Sequence, residues 1–212
     1  MSLRISELFF SIQGESNTVG YPTVFVRLTG CPMRCSYCDT DYAFHGGNKQ
    51  TIAEILAQVA HYTARYVTVT GGEPLAQAES HELMTALCDA GYKVSLETGN
   101  AIDISKVDSR VYVVLDIKTP ASNEEHNNKY ANIEHIKATD CFKFVICDEA
   151  DYEWSKKFVQ EHQLSEKCDV FFSPSADQLS PTDLADWIVR DQLTVRLQIQ
   201  LHKVLWANEA GR

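Results

Sequence analysis

The chain has 212 residues, 44% of them apolar and 23% charged, an ordinary globular balance for one domain with a substantial core. A net charge of −10 argues against non-specific nucleic-acid binding, no stretch has the apolar length of a membrane span, and the opening Met1-Ser-Leu-Arg-Ile-Ser-Glu7 is not a signal peptide. Seven cysteines without secretory features fit a reducing cytoplasm better than a disulfide scaffold.

In chain order, Leu8 to Glu15 begins apolar and runs into Gln13, Gly14 and Glu15. Gly14 permits a turn or a close ligand approach, and Glu15 reads as a solvated carboxylate at a strand exit or as a group aimed into a site. Thr23 to Leu28 reads as the first buried strand. Arg27 inside it is either a snorkelling edge residue or a clamp for a carboxylate. Immediately after comes Gly30-Cys-Pro-Met-Arg-Cys-Ser-Tyr-Cys-Asp-Thr40, with Cys31, Cys35 and Cys38 spaced Cys-x3-Cys-x2-Cys. A structural zinc site closes with four ligands, whereas a cubane iron–sulfur cluster held by three cysteines leaves one iron open. The three-cysteine loop therefore predicts a metal centre with a vacancy.

Thr51-Ile-Ala-Glu54 is a capping box that opens a helix to about Tyr62. Tyr66 to Thr70 is the next strand and ends in Gly71-Gly72-Glu73-Pro74; a helix from about Glu79 to Ala90 follows, with Gly91 as its C-terminal cap. Lys93–Glu97 and Arg110–Asp116 are strands ending in Glu97-Thr-Gly-Asn100 and Asp116-Ile-Lys118. Ser122 to Lys137 reads as an exposed loop with irregular helix. Cys141–Cys147 is a strand, Asp151–His162 a helix, and Val170–Phe172 a strand running into Ser173-Pro174-Ser175. Ser180-Pro181 caps another helix through Trp187. Thr194 to Leu201 alternates and predicts a terminal strand leading into His202. Strand–helix alternation of this kind predicts a mostly parallel α/β sheet or barrel in a single unit, 1–212, with functional residues at the C-terminal strand ends.

The cysteine loop resembles that of the radical S-adenosylmethionine superfamily, and Gly71-Gly72-Glu73 matches its second shared feature. The resemblance implies a partial, reduced (βα)6-type barrel. It also implies a 4Fe–4S cluster on Cys31, Cys35 and Cys38, with S-adenosylmethionine chelated to the open iron and its amino group met by the Gly-Gly-Glu backbone. One-electron cleavage of that cofactor would give a 5′-deoxyadenosyl radical. Tyr37 would lie near the adenine, and Lys118, Ser173, Pro174 and Ser175 would make further cofactor contacts. A zinc knuckle is the competing reading of the loop, but no Cys or His follows Cys38 at knuckle spacing until His45.

Ser11-Ile-Gln-Gly-Glu-Ser16, Arg27 to Thr40, Thr70-Gly-Gly-Glu-Pro74, Glu97-Thr-Gly-Asn100 and Gln200-Leu-His-Lys203 together resemble the 7-carboxy-7-deazaguanine synthase family, from about residue 5 to residue 204. That family converts 6-carboxy-5,6,7,8-tetrahydropterin to 7-carboxy-7-deazaguanine with loss of ammonia, in the 7-deazapurine route to queuosine. On this resemblance Ile12, Gln13 and Gly14 contact the pterin, Arg27 meets its carboxylate, and Thr40 binds Mg2+ through its hydroxyl. Read without the resemblance, Thr40 is a turn hydroxyl capping a backbone amide. Glu15, Glu97 and His202 are further pterin candidates, and no residue is assigned as a general base. A homodimer and an electron donor such as a flavodoxin or ferredoxin are also implied, with neither nucleic acid nor membrane as partner. The competing enzyme class, a glycyl-radical activating enzyme, usually opens with Asp-Gly-Pro-Gly-x-Arg, where this chain has Gln-Gly-Glu.

Overall fold

The computed structural model describes residues 2–176, 178–207, 209 and 211. Nine strands form one sheet in the order β3-β1-β2-β4-β5-β6-β7-β8-β9. At one edge β1 (Ser2–Ile12) pairs antiparallel with β3 (Asn48–Thr51) and with β2 (Pro22–Leu28). From β2 onward every pairing is parallel: β4 (Tyr66–Gly71), β5 (Lys93–Thr98), β6 (Tyr112–Ile117), β7 (Cys141–Ile146), β8 (Asp169–Pro174) and the two-residue β9 (Arg196–Leu197). This is the mostly parallel α/β sheet that the strand–helix alternation predicts.

The pleat sorts side chains onto two faces. One face carries Val24 and Val26, Val67 and Val69, Val94 and Leu96, Val113 and Leu115, Phe142 and Phe144, and Val170 and Phe172, all in one buried cluster. The amphipathic helices cover it with Ile55 and Val59 of α1 (Ile52–Val59), Leu83 and Leu87 of α2 (Ser80–Asp89), Tyr152 and Phe158 of α3 (Glu149–Glu161), and Leu184 and Ile188 of α5 (Pro181–Arg190). The short α4 (Leu164–Lys167) adds Leu164. The alternate positions turn to the other face, where Arg27, Thr70, Glu97, Asp116, Lys143 and Ser173 sit one per strand near the C-terminal ends. Beneath them Val114, Cys141 and Phe171 make a small apolar floor.

In β1 a bulge changes the phase. Ile5 pairs with Leu28 but Glu7 pairs with Arg27, so an extra residue is inserted on β1. Leu3, Ile5 and Leu8 therefore pack with the helix-side core, while Glu7 and Phe9 turn to the open face.

Two stretches differ from the sequence expectation. Thr194–Leu201 is not a full strand: only Arg196 and Leu197 pair, and Leu201–Trp206 is helix α6, which carries His202. The residue buried there is Gln198, whose side chain accepts from Ser16 N at 2.8 Å and donates to Ser16 O at 3.2 Å, while Leu197 and Ile199 are exposed. A side-chain amide thus takes over the pairing that a strand backbone would have supplied. Ser122–Lys137 takes the irregular helical form expected, as short 3-10 turns, but Ser122, Asn132 and Ile133 within it are buried.

Candidate functional site

The open face of the sheet is the wall of a cavity of about 920 Å³ at the C-terminal strand ends. Its mouth is drawn together although β3 and β9 are separate edges. Leu201 N donates to Gly14 O at 3.0 Å, and Gln200 Nε2 donates to Asp39 Oδ2 at 3.2 Å, so the segment after β9 touches both the β1 exit and the cysteine loop. Cys31, Cys35, Cys38, Tyr37, Thr40, Gly71, Gly72, Lys118 and Ser173 to Ser175 line this space, and so do Ile12, Gln13, Gly14, Glu15, Arg27, Glu97 and His202. Every residue singled out in the sequence is there except Glu73.

Glu73 lies behind the wall. Its side chain is fully buried and accepts from Thr98 Oγ1 at 2.8 Å, Gly99 N at 2.8 Å and Leu75 N at 3.1 Å. Burial pushes its pKa up against these donors. The carboxylate thus fastens the β4 exit to the β5 exit. The N–H groups of Gly72 and Glu73 are spent on the Leu28 and Gly30 carbonyls at 3.1 and 2.8 Å. What this turn can offer a ligand is acceptor carbonyls, the polarity that a protonated amino group requires. A Cβ on Gly72 would come within 2.3 Å of Gly30 O and 2.7 Å of Cys31 Cβ, so the turn sits directly against the cysteine loop.

The three cysteines are free and half-buried. Burial raises all three thiol pKa values, that of Cys35 to about 11, so metal binding is what would deprotonate them. Among the described residues no three Cys, His, Asp or Glu side chains converge on a single ion position. A mononuclear zinc site needs that convergence; a four-iron cluster takes one cysteine per iron and needs the sulfurs spread around a larger body. The donor set and the cavity in front of it fit the cluster.

The cofactor end has further open valences. Tyr37 Oη, Ser173 Oγ and Asp116 Oδ1 are buried without a hydrogen-bond partner among the described residues, which leaves polar groups for a ligand to satisfy. Lys118 Nζ is 2.8 Å from Asp116 Oδ2 and lies 5.7 Å from the Tyr37 ring centroid. Burial alone would lower its pKa, but Asp116, Tyr37 and Cys35 outweigh that and hold it well above the ordinary value. The Lys118 backbone is clamped on both sides by the Asn128 amide, at 2.9 and 2.8 Å. Asn128 and Asn132 are in turn bonded to Asn100, which is buried with φ +65°. Asn100 and the 122–137 turns therefore hold the β6 exit in place and do not line the cavity.

At the other end Arg27 Nε donates to Glu7 Oε1 at 2.7 Å, between the Phe9 and Tyr42 rings. Its two terminal nitrogens make no hydrogen bond among the described residues. Gln13 is largely occupied: Nε2 donates to Thr68 Oγ1 at 3.1 Å and Glu97 Oε1 at 3.3 Å, and Oε1 accepts from Glu15 N at 3.3 Å. Thr40 Oγ1 donates to Asp39 Oδ1 at 2.9 Å and caps no backbone amide. Burial would raise the Asp39 pKa, but hydrogen bonds from Gln200 and Thr40 with the charge of Lys203 hold it at about 2. His202 packs on Gly14, where a Cβ would clash with its Nδ1, and burial lowers its pKa against the opposing charges of Glu15 and Asp39.

Sequence reasoning missed Glu7, Asp39 and Lys143, all lining the same cavity. For Lys143 a signal existed: a lysine between Phe142 and Phe144 in an otherwise apolar strand. Glu7 could not have been placed by alternation, because the bulge precedes it.

Residues 25–123 match the Radical SAM superfamily model. A 7-carboxy-7-deazaguanine synthase from Chlorobaculum tepidum is 46% identical over 98% of this chain and 96% of its own, and one from Koribacter versatilis is 40% identical over 98% of each. One from Methanospirillum hungatei is 37% identical over 96% of this chain and 85% of its own. The crystal structure of QueE from Escherichia coli superposes with a TM-score of 0.80 over 95% of both chains at 21% identity, which supports the fold. On the cysteine loop, the shared cavity and these likenesses over nearly its whole length, the chain belongs to the 7-carboxy-7-deazaguanine synthase family of the radical S-adenosylmethionine superfamily.

Proposed function

We infer that the chain is a radical S-adenosylmethionine lyase that converts 6-carboxy-5,6,7,8-tetrahydropterin to 7-carboxy-7-deazaguanine with loss of ammonia, in 7-deazapurine biosynthesis. The observation that carries this reading is convergence: three cysteines, a glycine turn of acceptor polarity, a partly free arginine and the half-buried carboxylates of Glu15 and Glu97 line one cavity. When bound, the cluster and S-adenosylmethionine supply one-electron chemistry that removes a hydrogen atom from the substrate.

The chain's own residues divide the cavity. Cys31, Cys35 and Cys38 would hold the cluster, and the Gly71-Gly72 carbonyls the amino group of the cofactor. Tyr37, Lys118 and Ser173 to Ser175 would enclose the rest of it, the buried Tyr37 and Ser173 hydroxyls having no partner among the described residues. The terminal nitrogens of Arg27 would take the substrate carboxylate in the two-pronged geometry that guanidinium allows. Glu15 and Glu97 would accept N–H donors of the pterin ring, while Ile12, Gly14 and His202 would pack along it. Gln13 would act chiefly through Glu97 and Glu15, which its amide already holds. Thr40, with the ionised Asp39 beside it, presents the oxygen donors that Mg2+ favours, the remaining ligands being water and substrate. No side chain is assigned general acid or base duty.

We read 1–212 as a single functional unit, supported by the continuous sheet from β3 to β9. Among the described residues no helix is long and apolar enough to cross a membrane. A cytoplasmic setting, a homodimer and a flavodoxin- or ferredoxin-type electron donor belong to the same proposal, on the strength of the resemblance. The test is anaerobic reconstitution of the cluster with S-adenosylmethionine, reductant, Mg2+ and the carboxylated tetrahydropterin. Appearance of the deazaguanine chromophore supports the reading; cofactor cleavage without it, on this substrate, overturns it.

A further inference from the structure

Lys143 is a cavity-wall residue whose chemistry the reading above leaves unused. It is the middle residue of β7 facing the cavity, and its alternation with Phe142 and Phe144 means that no rotamer can take it to the helix-covered face. Its ammonium is 2.7 Å from Glu15 Oε2, with side chains only 14% and 13% exposed. A buried cation is retained only where carboxylates compensate for its lost hydration. Here Glu15 is the direct partner, and Glu97 on β5 and Asp116 on β6 also act on Lys143. Asp116 already has Lys118 at 2.8 Å.

Among the described residues Glu97 has no cation within ion-pair distance. It holds only neutral donors, the amide of Gln13 at 3.3 Å and the hydroxyl of Thr70 at 3.0 Å. Burial and the charge of Glu15 both favour its protonated form, while Lys143 and then Arg27 oppose them. His202 faces Glu15 and Asp39, with Lys203 3.5 Å from Asp39. Gln13 thus ties the Glu97 carboxylate to the Glu15 backbone, and Lys143 is the one cation in contact with either glutamate side chain among the described residues.

We propose that Lys143 is a positioning residue that holds Glu15 by their ion pair and keeps the neighbouring Glu97 anionic, so that the two side chains accept the adjacent N–H donors of a 2-amino-4-oxopyrimidine edge. This deepens the function proposed above and rests on it for the identity of the ligand. A protonated Glu97 would turn a donor toward such an edge; an anionic one presents two acceptors. Discrimination then falls on the donor pattern of the heterocycle, while Arg27 at the far wall reads its carboxylate.

The test uses holoenzyme with its cluster oxidised and no S-adenosylmethionine, so that nothing turns over. Glutamate side-chain carboxyls are labelled with carbon-13 and titrated by NMR, with the Glu97 signal assigned by E97Q. K143M is expected to raise the Glu97 midpoint by about one pH unit or more, K143R to leave it near wild type, and E15Q in the K143M background to bring it back down. An unchanged midpoint in K143M overturns the proposal whatever the ligand is. Should K143M fail to fold, E15Q and the neutral pair E15Q/K143M carry the comparison: a higher midpoint in the double variant supports the role and an equal one overturns it. Binding of the carboxylated pterin by calorimetry is then expected to be about tenfold weaker in K143M at neutral pH and to recover as pH rises through the new midpoint. A uniform loss at every pH would mark Lys143 as structural only and contradict the proposal. Wild-type holoenzyme that shows the NMR shift pattern but binds no pterin would sink the substrate reading and leave the charge role standing.

Discussion

Arg27 Nε and Glu7 Oε1 are 2.7 Å apart across the β1–β2 ladder, at the one point where β1 carries an extra residue. Without that bulge Glu7 would share a face with Leu3 and Ile5 and point into the helix-side core. With it, Glu7 holds the guanidinium by its inner nitrogen and turns the two outer ones to the cavity. The pair therefore sets the direction of Arg27 rather than neutralising it outright.

For Arg27 the expected consequence is a loss confined to carboxylate recognition. R27M should raise KM for the carboxylated pterin about 100-fold, as expected for losing two charge-assisted bonds. Affinity for an analogue lacking the carboxylate should change little. R27K, which cannot form the fork, should behave more like R27M than like wild type. Equal losses on both ligands by calorimetry would show that Arg27 supports the wall only.

Gly72 separates a steric requirement from a conformational one. G72A would set a methyl against Gly30 O and Cys31 Cβ, where backbone cannot yield, and should cut iron and sulfide bound per chain after reconstitution. G91A provides the control: φ is +89° but nothing lies within 4 Å, so it should cost only about 1 kcal/mol of stability and leave the iron content intact. Normal iron loading in G72A would contradict the close packing of turn and loop.

How much of this was legible in the chain follows from the same geometry. Strand ends announce themselves when a period-two apolar run breaks into Gly, Glu or Lys, as at Gly71-Gly72, Asp116-Ile-Lys118 and Ser173-Pro-Ser175, and these assignments all reach the cavity except the Glu73 side chain. Three things were hidden. The bulge shifts parity without any unusual residue to mark it. Thr194–Leu201 has strand alternation, yet Gln198 is its buried member because its amide binds the Ser16 backbone, a partner 182 positions away. The asparagines of 122–137 look like loop composition and become buried because Asn128 and Asn132 bond the backbone of Lys118 and the side chain of Asn100.

Glu97 gives a pH prediction whose sign is fixed. Its pKa in the folded state is raised above 4.5, chiefly by burial. The folded chain therefore binds this proton more tightly than the unfolded chain, and the contribution of Glu97 to stability falls as pH rises from about 4.5 through the folded value. E97Q should match wild type in Tm at acid pH below that range and exceed it progressively above. A constant difference between the two melting curves across pH would show that Glu97 has no raised pKa.

Thr40 should answer to the metal and not to the fold. T40A should shift half-maximal Mg2+ activation upward about tenfold with Tm nearly unchanged, since its hydroxyl caps no amide, whereas T40S should retain the response. D39N should weaken Mg2+ dependence in the same direction. An unaltered Mg2+ titration in T40A would remove Thr40 from the metal site.

The central claim is that one cavity brings the cluster-bound cofactor and the carboxylated pterin into contact. It is tested most directly with substrate carrying deuterium at C6, the position from which hydrogen is to be taken, by mass spectrometry of the nucleoside cofactor pool during turnover. The account predicts that deuterium enters the 5′ position of that pool as deazaguanine forms. Product formation with the pool unlabelled would contradict it.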